Sequence, residues 1–246
     1  TELIINQIND MDARKAIDGI LMHRYLHGSD DMTGEWVYNP FKTWSALTSG
    51  IDGFKAVDQY VTEWNVSSSN KAEQGLSHFD SIIELFREMM ISGVDHANIW
   101  GVQQNTQNRM IANTGIGTPK YGDLTFGGVA FDICSTQLRG LRAMKSPEEI
   151  QGMAVNAFGN SGRTVVALTN RNETSKVHSI DLAKIAAGGH HVTIYRITAG
   201  SDGKPVIFVE TLKITSSHLW KNLTFAAQES VVIVVARADA GVTIEG

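Results

Sequence analysis

The residues with the clearest chemical potential surround one carboxylate, Glu63, in the segment Thr62-Glu63-Trp64-Asn65. β-Forming residues precede this segment, and Asn65 and the serines at 67–69 end it, so Glu63 is predicted to lie where a buried strand passes into a loop. A carboxylate in that position can act as a nucleophile or as a general acid or base. A solvated surface glutamate is the alternative, and position alone does not decide between the two.

Two other predicted strands also end at polar or aromatic groups. Residues 17–25 form a predicted strand that ends at His23 and Tyr25, and residues 94–100 form one that ends at Trp100. Gln103 lies in the long polar loop that follows, at 101–122, and loops of that length are usually functional or disordered. For His23 and Trp100 the alternatives are a hydrogen-bonded core histidine and a tryptophan buried for packing.

Helices are predicted between these strands, one beginning at Pro40 and one with the apolar face Phe79 to Met90. Strands that share a sheet and are separated by crossover helices must run parallel. Their carboxyl ends then lie at one edge, which is where α/β folds place their sites. The sequence therefore predicts a common mouth for the three groups of residues.

Composition narrows the function further. The chain has 246 residues, a formal net charge of −5 and scattered Lys and Arg, so neither nucleic-acid binding nor membrane binding is expected. Cys134 is the single cysteine and lies in an apolar stretch, which favours a buried thiol over redox chemistry. The adjacent His190 and His191 would point to opposite faces of a strand, so they are not expected to bind one metal ion together. No cofactor is expected.

The pattern changes near residue 146, which predicts two domains, 1–146 and 147–246. The first alternates helices with strands and is α/β; the second is all-β, with turn signals such as Asp202-Gly203 between short strands, and predicts an antiparallel β-sandwich. The predicted strands of the second domain are 163–170, 176–182, 191–197, 206–214, 223–226 and 230–236.

Together these segments carry a resemblance. Residues 17–25, then 60–65 with Thr62-Glu63-Trp64-Asn65, then 93–100, resemble the sixth to eighth strands of a retaining clan A glycoside hydrolase. The likeness is greatest to family 39, the β-xylosidase and α-iduronidase type. The fold implied is the C-terminal portion of a (β/α)8 barrel followed by an antiparallel β-sandwich. The match covers roughly residues 15 to 145, and the Thr-Glu-Trp-Asn segment is its most specific element.

The resemblance implies roles for individual residues. Glu63 would be the nucleophile, His23 and Tyr25 would contact the sugar at the point of cleavage, and Trp100 would form part of an apolar floor. Asn65 and Gln103 are further predicted substrate contacts at the mouth. Donors such as Tyr25 or the Asn65 amide would stabilise the charged form that a nucleophile needs.

One part of the family pattern is absent. The acid/base glutamate of these enzymes follows an asparagine, and the only Asn-Glu pair here, Asn172-Glu173, falls in a predicted turn of the second domain. Glu35, Asp30 and Asp31 are weak substitutes near the mouth. We therefore expect an N-terminal barrel segment or another chain to complete the barrel and supply the acid/base, because three parallel strands cannot close one.

The chain is thus predicted to be a glycoside hydrolase acting on an oligo- or polysaccharide, and the alternative is a non-catalytic carbohydrate-binding or structural module. We expect a secreted or extracellular protein. The sequence does not begin with Met, and we expect its natural start to lie further upstream.

Overall fold

The structure is a computed structural model that describes residues 2–27, 40–112, 122–146, 149–181, 190–213 and 220–237. Two short helices, Glu2–Gln7 (α1) and Met11–Lys15 (α2), begin the chain. Asp10 caps α2 by accepting a hydrogen bond from the Ala13 N–H at 2.8 Å. The carboxylates at 30, 31 and 35 lie outside the described residues.

A parallel sheet of three strands follows, in the order β1-β2-β3. This confirms the prediction that these strands run parallel, with helices between them. The elements of this part are Gly19–Leu26 (β1), Pro40–Thr48 (α3), Asp58–Val66 (β2), Gly75–Ile91 (α4), His96–Ile99 (β3) and Phe126–Gln137 (α5).

One face of the central strand β2 packs against the helices. Val61 and Trp64 are fully buried there, and the Trp64 ring lies 6.3 Å from the ring of Phe86 and 6.2 Å from that of Phe131. The apolar face of α4, with Phe79 as its largest fully buried side chain, joins the same cluster. Burial of this apolar surface fixes which side of β2 faces the helices and which side stays open.

The C-terminal part is built of antiparallel sheets. The seven-stranded sheet has the order β10-β9-β12-β7-β6-β4, with β5 paired to β6, and β11 pairs with β8 in a separate two-stranded sheet. The strands are Arg142–Ala143 (β4), Glu149–Ile150 (β5), Met153–Gly159 (β6), Arg163–Asn170 (β7), Lys176–Asp181 (β8), His190–Ala199 (β9), Pro205–Lys213 (β10), Trp220–Phe225 (β11) and Ser230–Arg237 (β12).

All six predicted strands of this part are present, and Arg163–Asn170 has the predicted bounds. Strand β6 was not predicted, because its Ala, Asn and Gly residues have low β-propensity. Burial supplies the reason that it forms: alternate residues such as Ala154, Asn156 and Phe158 are buried against the sheet's inner side.

The two parts share one hydrophobic core. Phe158, Val165 and Val232 of the seven-stranded sheet belong to the same buried cluster as Trp64 and Phe79. Strand β4, at 142–143, pairs with β6 and so joins the second sheet before the predicted boundary at 146. The seven-stranded antiparallel sheet therefore packs against the α/β part of the chain, along helix α4.

Cys134 is buried in α5, as predicted from its apolar context, and burial raises the pKa of its thiol. No helix among the described residues is long and apolar enough to cross a membrane.

Candidate active site

A β-bulge in β2 turns Glu63 to the open face of the sheet. Met22 of β1 pairs with Val61 and His23 with Glu63, so Thr62 is an extra residue in β2. Regular alternation would place Glu63 on the same face as Val61. The bulge lets Val61 and Trp64 both face the helices, and it leaves Glu63 on the opposite face with His23.

Two side chains of β1 hold one oxygen of Glu63. The Tyr25 hydroxyl donates a hydrogen bond to Oε2 at 2.9 Å, and His23 Nδ1 lies 3.3 Å from the same atom. Among the described residues nothing donates to Oε1 of Glu63. The carboxylate is thus fixed through one oxygen, and the other is available to a ligand.

The electrostatics of this group keep Tyr25 a donor. Its pKa is raised by partial burial, and the hydrogen bond to Glu63 and the charge of Glu63 raise it further. The phenol therefore stays protonated and can donate throughout the physiological pH range. The Glu63 side chain is 28% exposed and that of His23 is 50% exposed, so both can be reached from solvent.

Trp100 and Gln103 lie just beyond β3, on the loop that follows it. Trp100 is 47% exposed, although its backbone N–H is bound to the Trp64 carbonyl at 3.1 Å. Gln103 is exposed. An indole with a fixed backbone and an open face is a suitable platform for the apolar side of a sugar ring.

Asn65 is placed differently from the prediction. It is fully buried, its amide nitrogen donates to the carbonyls of Trp100 and Asn108, both at 2.8 Å, and its Oδ1 accepts from the Val66 N–H at 2.7 Å. The polar atoms of this side chain are thus all bonded within the protein, and the structure does not bring Asn65 to the open face with Glu63 and His23. The local sequence showed a strand end but not that the following loop folds over it.

Two polar residues of this region were missed. His78 is buried in α4, and its Nε2 lies 3.0 Å from Asn65 Oδ1. Asn108 is also buried, and its amide donates to the Val66 carbonyl at 2.6 Å. A histidine among the buried apolar residues of α4 was the available signal, because a buried polar group needs a partner.

The open face of the sheet continues towards the amino ends of the strands. The Tyr60 ring stacks on the His96 ring with centroids 4.7 Å apart, and a Cβ at Gly19 would lie 2.6 Å from the Tyr60 ring. Glycine at position 19 is therefore what lets the Tyr60 ring lie over β1. Leu21 on this strand is 69% exposed.

A concavity of about 570 Å³ lies between α4 and the seven-stranded sheet. Asp80 and Glu84 of α4 and Arg171, which follows β7, are among its polar groups. None of the predicted site residues lines it, so it is separate from the carboxylate at Glu63.

The comparisons with known proteins rest on structure. No protein-family profile matches the sequence, and no curated protein matches it. Among solved structures, a family 30 endoxylanase from Clostridium papyrosolvens matches with a TM-score of 0.55, 12% identity and coverage of 93% of this chain and 51% of its own.

Two other solved structures are similar to a comparable degree. A glucosidase from Croceicoccus marinus has a TM-score of 0.54, 13% identity and coverage of 93% of this chain and 56% of its own. A monomeric β-xylosidase from Caulobacter crescentus has a TM-score of 0.52, 12% identity and coverage of 91% of this chain and 56% of its own.

These similarities are similarities of fold. The chain spans about half the length of the structures it matches. These three neighbours are glycoside hydrolases, and at such identities the likeness shows a shared fold and does not single out family 39.

Proposed function

We propose that the chain carries the nucleophile of a retaining glycoside hydrolase that acts on an oligo- or polysaccharide. The observation that carries this proposal is the arrangement of Glu63: its Oε2 is bound by Tyr25 and approached by His23, while its Oε1 accepts nothing from the described residues. The fold shared with glycoside hydrolases supports it. Family 39 remains the nearest type by the order of its sequence segments.

The proposed reaction has two steps, attack by Oε1 of Glu63 and release by water. Oε1 of Glu63 would attack the anomeric carbon, the bond to the leaving oxygen would break, and that oxygen would take a proton from a second carboxylic acid. Water, deprotonated by that second carboxylate, would then release the sugar from Glu63. Retaining enzymes place the two carboxyl groups about 5 Å apart.

The second carboxyl group is proposed to come from an N-terminal barrel segment or from a partner chain. Strands β1 and β3 each have one neighbour, β2, in the sheet of the described residues. An eight-stranded barrel needs a neighbour on both sides of every strand, so the completing segment would pair with both edges. A secreted or extracellular location belongs to the same proposal.

Four residues are proposed to contact the sugar. His23 and Gln103 offer exposed polar groups, and Trp100 offers an exposed indole face. Tyr25 would serve mainly by holding Glu63, with contact to the sugar as its second task.

The nucleophile can be tested by covalent trapping in the complete assembly. A fluorinated glycoside that slows release of the intermediate should add one sugar mass to the peptide that contains Glu63, and the Glu63→Gln variant should take up no label. Hydrolysis by that variant should fall by about 10³-fold or more. Glu149→Gln, which changes an exposed carboxylate outside the site, should keep both labelling and activity. Full activity of Glu63→Gln, or label on another residue, would contradict the assignment.

A non-catalytic carbohydrate-binding module is the second candidate, and the exposure of Trp100 is the observation that favours it. Such a module would bind oligosaccharides without cleaving them. Calorimetry would then show binding that Trp100→Ala abolishes and Glu63→Gln leaves unchanged.

A further inference from the structure

We propose that His78 and Asn65 are positioning residues that hold the segment 100–112, and with it the Trp100 indole, at the mouth beside Glu63. The inference rests on the proposed function in one respect, that Trp100 meets a sugar. Neither residue touches the mouth itself, since Asn65 is 0% exposed and His78 is 1% exposed.

Asn65 joins the end of β2 to two points of the segment 100–112. Its amide nitrogen donates one hydrogen to the Trp100 carbonyl and the other to the Asn108 carbonyl. Asn108 returns a hydrogen bond from its own amide to the Val66 carbonyl. Three hydrogen bonds, two of them buried and one partly buried, therefore tie Trp100 and Asn108 to the end of the strand that carries Glu63.

The orientation of the Asn65 amide is fixed by its surroundings. Two carbonyls face its nitrogen and the Val66 N–H faces its oxygen, so the reverse orientation would break all three contacts. Oδ1 is thus an acceptor, and the ring nitrogen Nε2 of His78 at 3.0 Å must carry the hydrogen.

The surroundings of His78 keep its imidazole neutral and next to Asn65. Burial lowers the pKa of its imidazole to about 3, so the ring is neutral at physiological pH. Gly127 at the start of α5 borders the ring, and a Cβ there would lie 2.3 Å from Cε1. Position 127 must therefore lack a side chain for the imidazole to lie where it reaches Asn65.

The consequence for Trp100 follows from its backbone. Its N–H is bound to the Trp64 carbonyl and its own carbonyl to Asn65, so β2 fixes both sides of the residue. No described residue makes a hydrogen bond to the exposed indole itself. The position of the indole therefore depends on the backbone of Trp100. Loss of the His78 donor would leave Oδ1 with one partner and loosen the amide that holds the Trp100 carbonyl.

The first test needs no catalysis. In the complete protein, hydroxyl-radical oxidation of Trp100 and amide exchange across 100–112 would be read by mass spectrometry in His78→Leu, in His78→Gln and in the matched control Ile83→Val on the same helix. We expect about a twofold or larger rise in both rates for His78→Leu, because local opening becomes easier. The control should match the wild type, and Gln, whose amide can donate to Oδ1, should restore most of the protection.

The second test separates positioning from plain stability. On a glycoside substrate, His78→Leu should raise KM by about tenfold with kcat within about twofold, whereas Ile83→Val should change neither. Unchanged oxidation and exchange in His78→Leu would overturn the inference, and so would altered rates without any change in KM. If the complete wild-type protein cleaves no glycoside, the proposed function fails, and oxidation and exchange still decide whether His78 positions the loop.

Discussion

At the scale of residues, the two oxygens of Glu63 have different surroundings. Oε2 is bound by Tyr25 and lies near His23, two residues that are two positions apart on β1 and therefore share a face. A carboxylate held through one oxygen keeps its rotamer without blocking the other oxygen. The arrangement thus combines orientation with access, and it depends on the pairing of β1 with β2.

Removal of the Tyr25 hydroxyl should test that orientation. Tyr25→Phe keeps the ring and deletes the donor to Oε2. Because a hydrogen bond to a charged group is typically worth about 1.5–3 kcal/mol, kcat/KM on a glycoside should fall by about 10- to 100-fold. Partial exposure lets water replace the hydroxyl, so the melting temperature should change little. Tyr60→Phe is the matched control, because its hydroxyl binds Asp58 on the same sheet, away from Glu63. Equal losses in both variants would refute a specific role for Tyr25.

At the scale of elements, the start of α5 brings a helix unusually close to the loop that follows β3. Thr125 caps the helix by accepting from the Gly128 N–H at 3.2 Å and donates to the Arg109 carbonyl at 2.6 Å. A Cβ at Gly128 would lie 2.0 Å from the Met110 carbonyl oxygen. The loop can therefore pack on the helix only if position 128 has no side chain.

Gly128→Ala should consequently destabilise the protein despite the higher helix propensity of alanine. An added methyl group in a packed region costs about 1–3 kcal/mol. Because this methyl group would meet a backbone carbonyl, we expect a cost near the upper end, which exceeds the gain of about 1 kcal/mol in helix propensity. We expect a lower melting temperature and faster amide exchange at 108–112. Ser135→Ala, an exposed change in the same helix, should leave both unchanged or raise the melting temperature slightly. A melting temperature of Gly128→Ala at or above that of the wild type would contradict the close packing.

The elements also show what could be predicted from sequence. Hydrophobic periodicity was enough to predict the parallel β-α-β-α-β unit and six of the later strands, because burial of an apolar face sets the spacing of apolar residues. The bulge at Thr62 is a property of two strands paired together, and one strand's sequence does not contain it. For the same reason the burial of Asn65 and its bond to His78 could not be predicted, since both depend on a loop and a helix that are distant along the chain.

At the scale of the whole molecule, a charged cluster reinforces the core shared by the two parts. Arg171, after β7, lies 2.7 Å from Asp80 and 2.5 Å from Glu84, both on α4. Lys204 of the second part pairs in the same way with Asp123 at 2.7 Å. The contacts of Arg171 link the end of β7 to α4, and that of Lys204 links the start of β10 to the segment before α5, although desolvation of the charges offsets much of their attraction.

The same cluster predicts how stability depends on pH. The pKa of Glu84 is raised from 4.5 to about 8, mainly by burial and next by the charge of Asp80, against the opposing effect of Arg171. The folded state therefore keeps a proton that the unfolded chain releases, so folding takes up a proton between these two values. Stability from this group is present in full below pH 4.5, and the free energy of unfolding falls as pH rises towards 8.

Glu84→Gln should remove that dependence, because glutamine resembles the protonated acid and does not titrate. Urea unfolding of the wild type at several pH values between about 5 and 9 should show the free energy of unfolding declining by a few kcal/mol, and the variant should show a flatter profile. The curves should converge near pH 5 and separate at pH 8, with the variant the more stable, since it avoids a buried charge beside Asp80. Glu149→Gln changes an exposed carboxylate on the same concavity and should retain the wild-type slope. If Glu84→Gln also retained that slope, the proton taken up on folding would have to reside on another group.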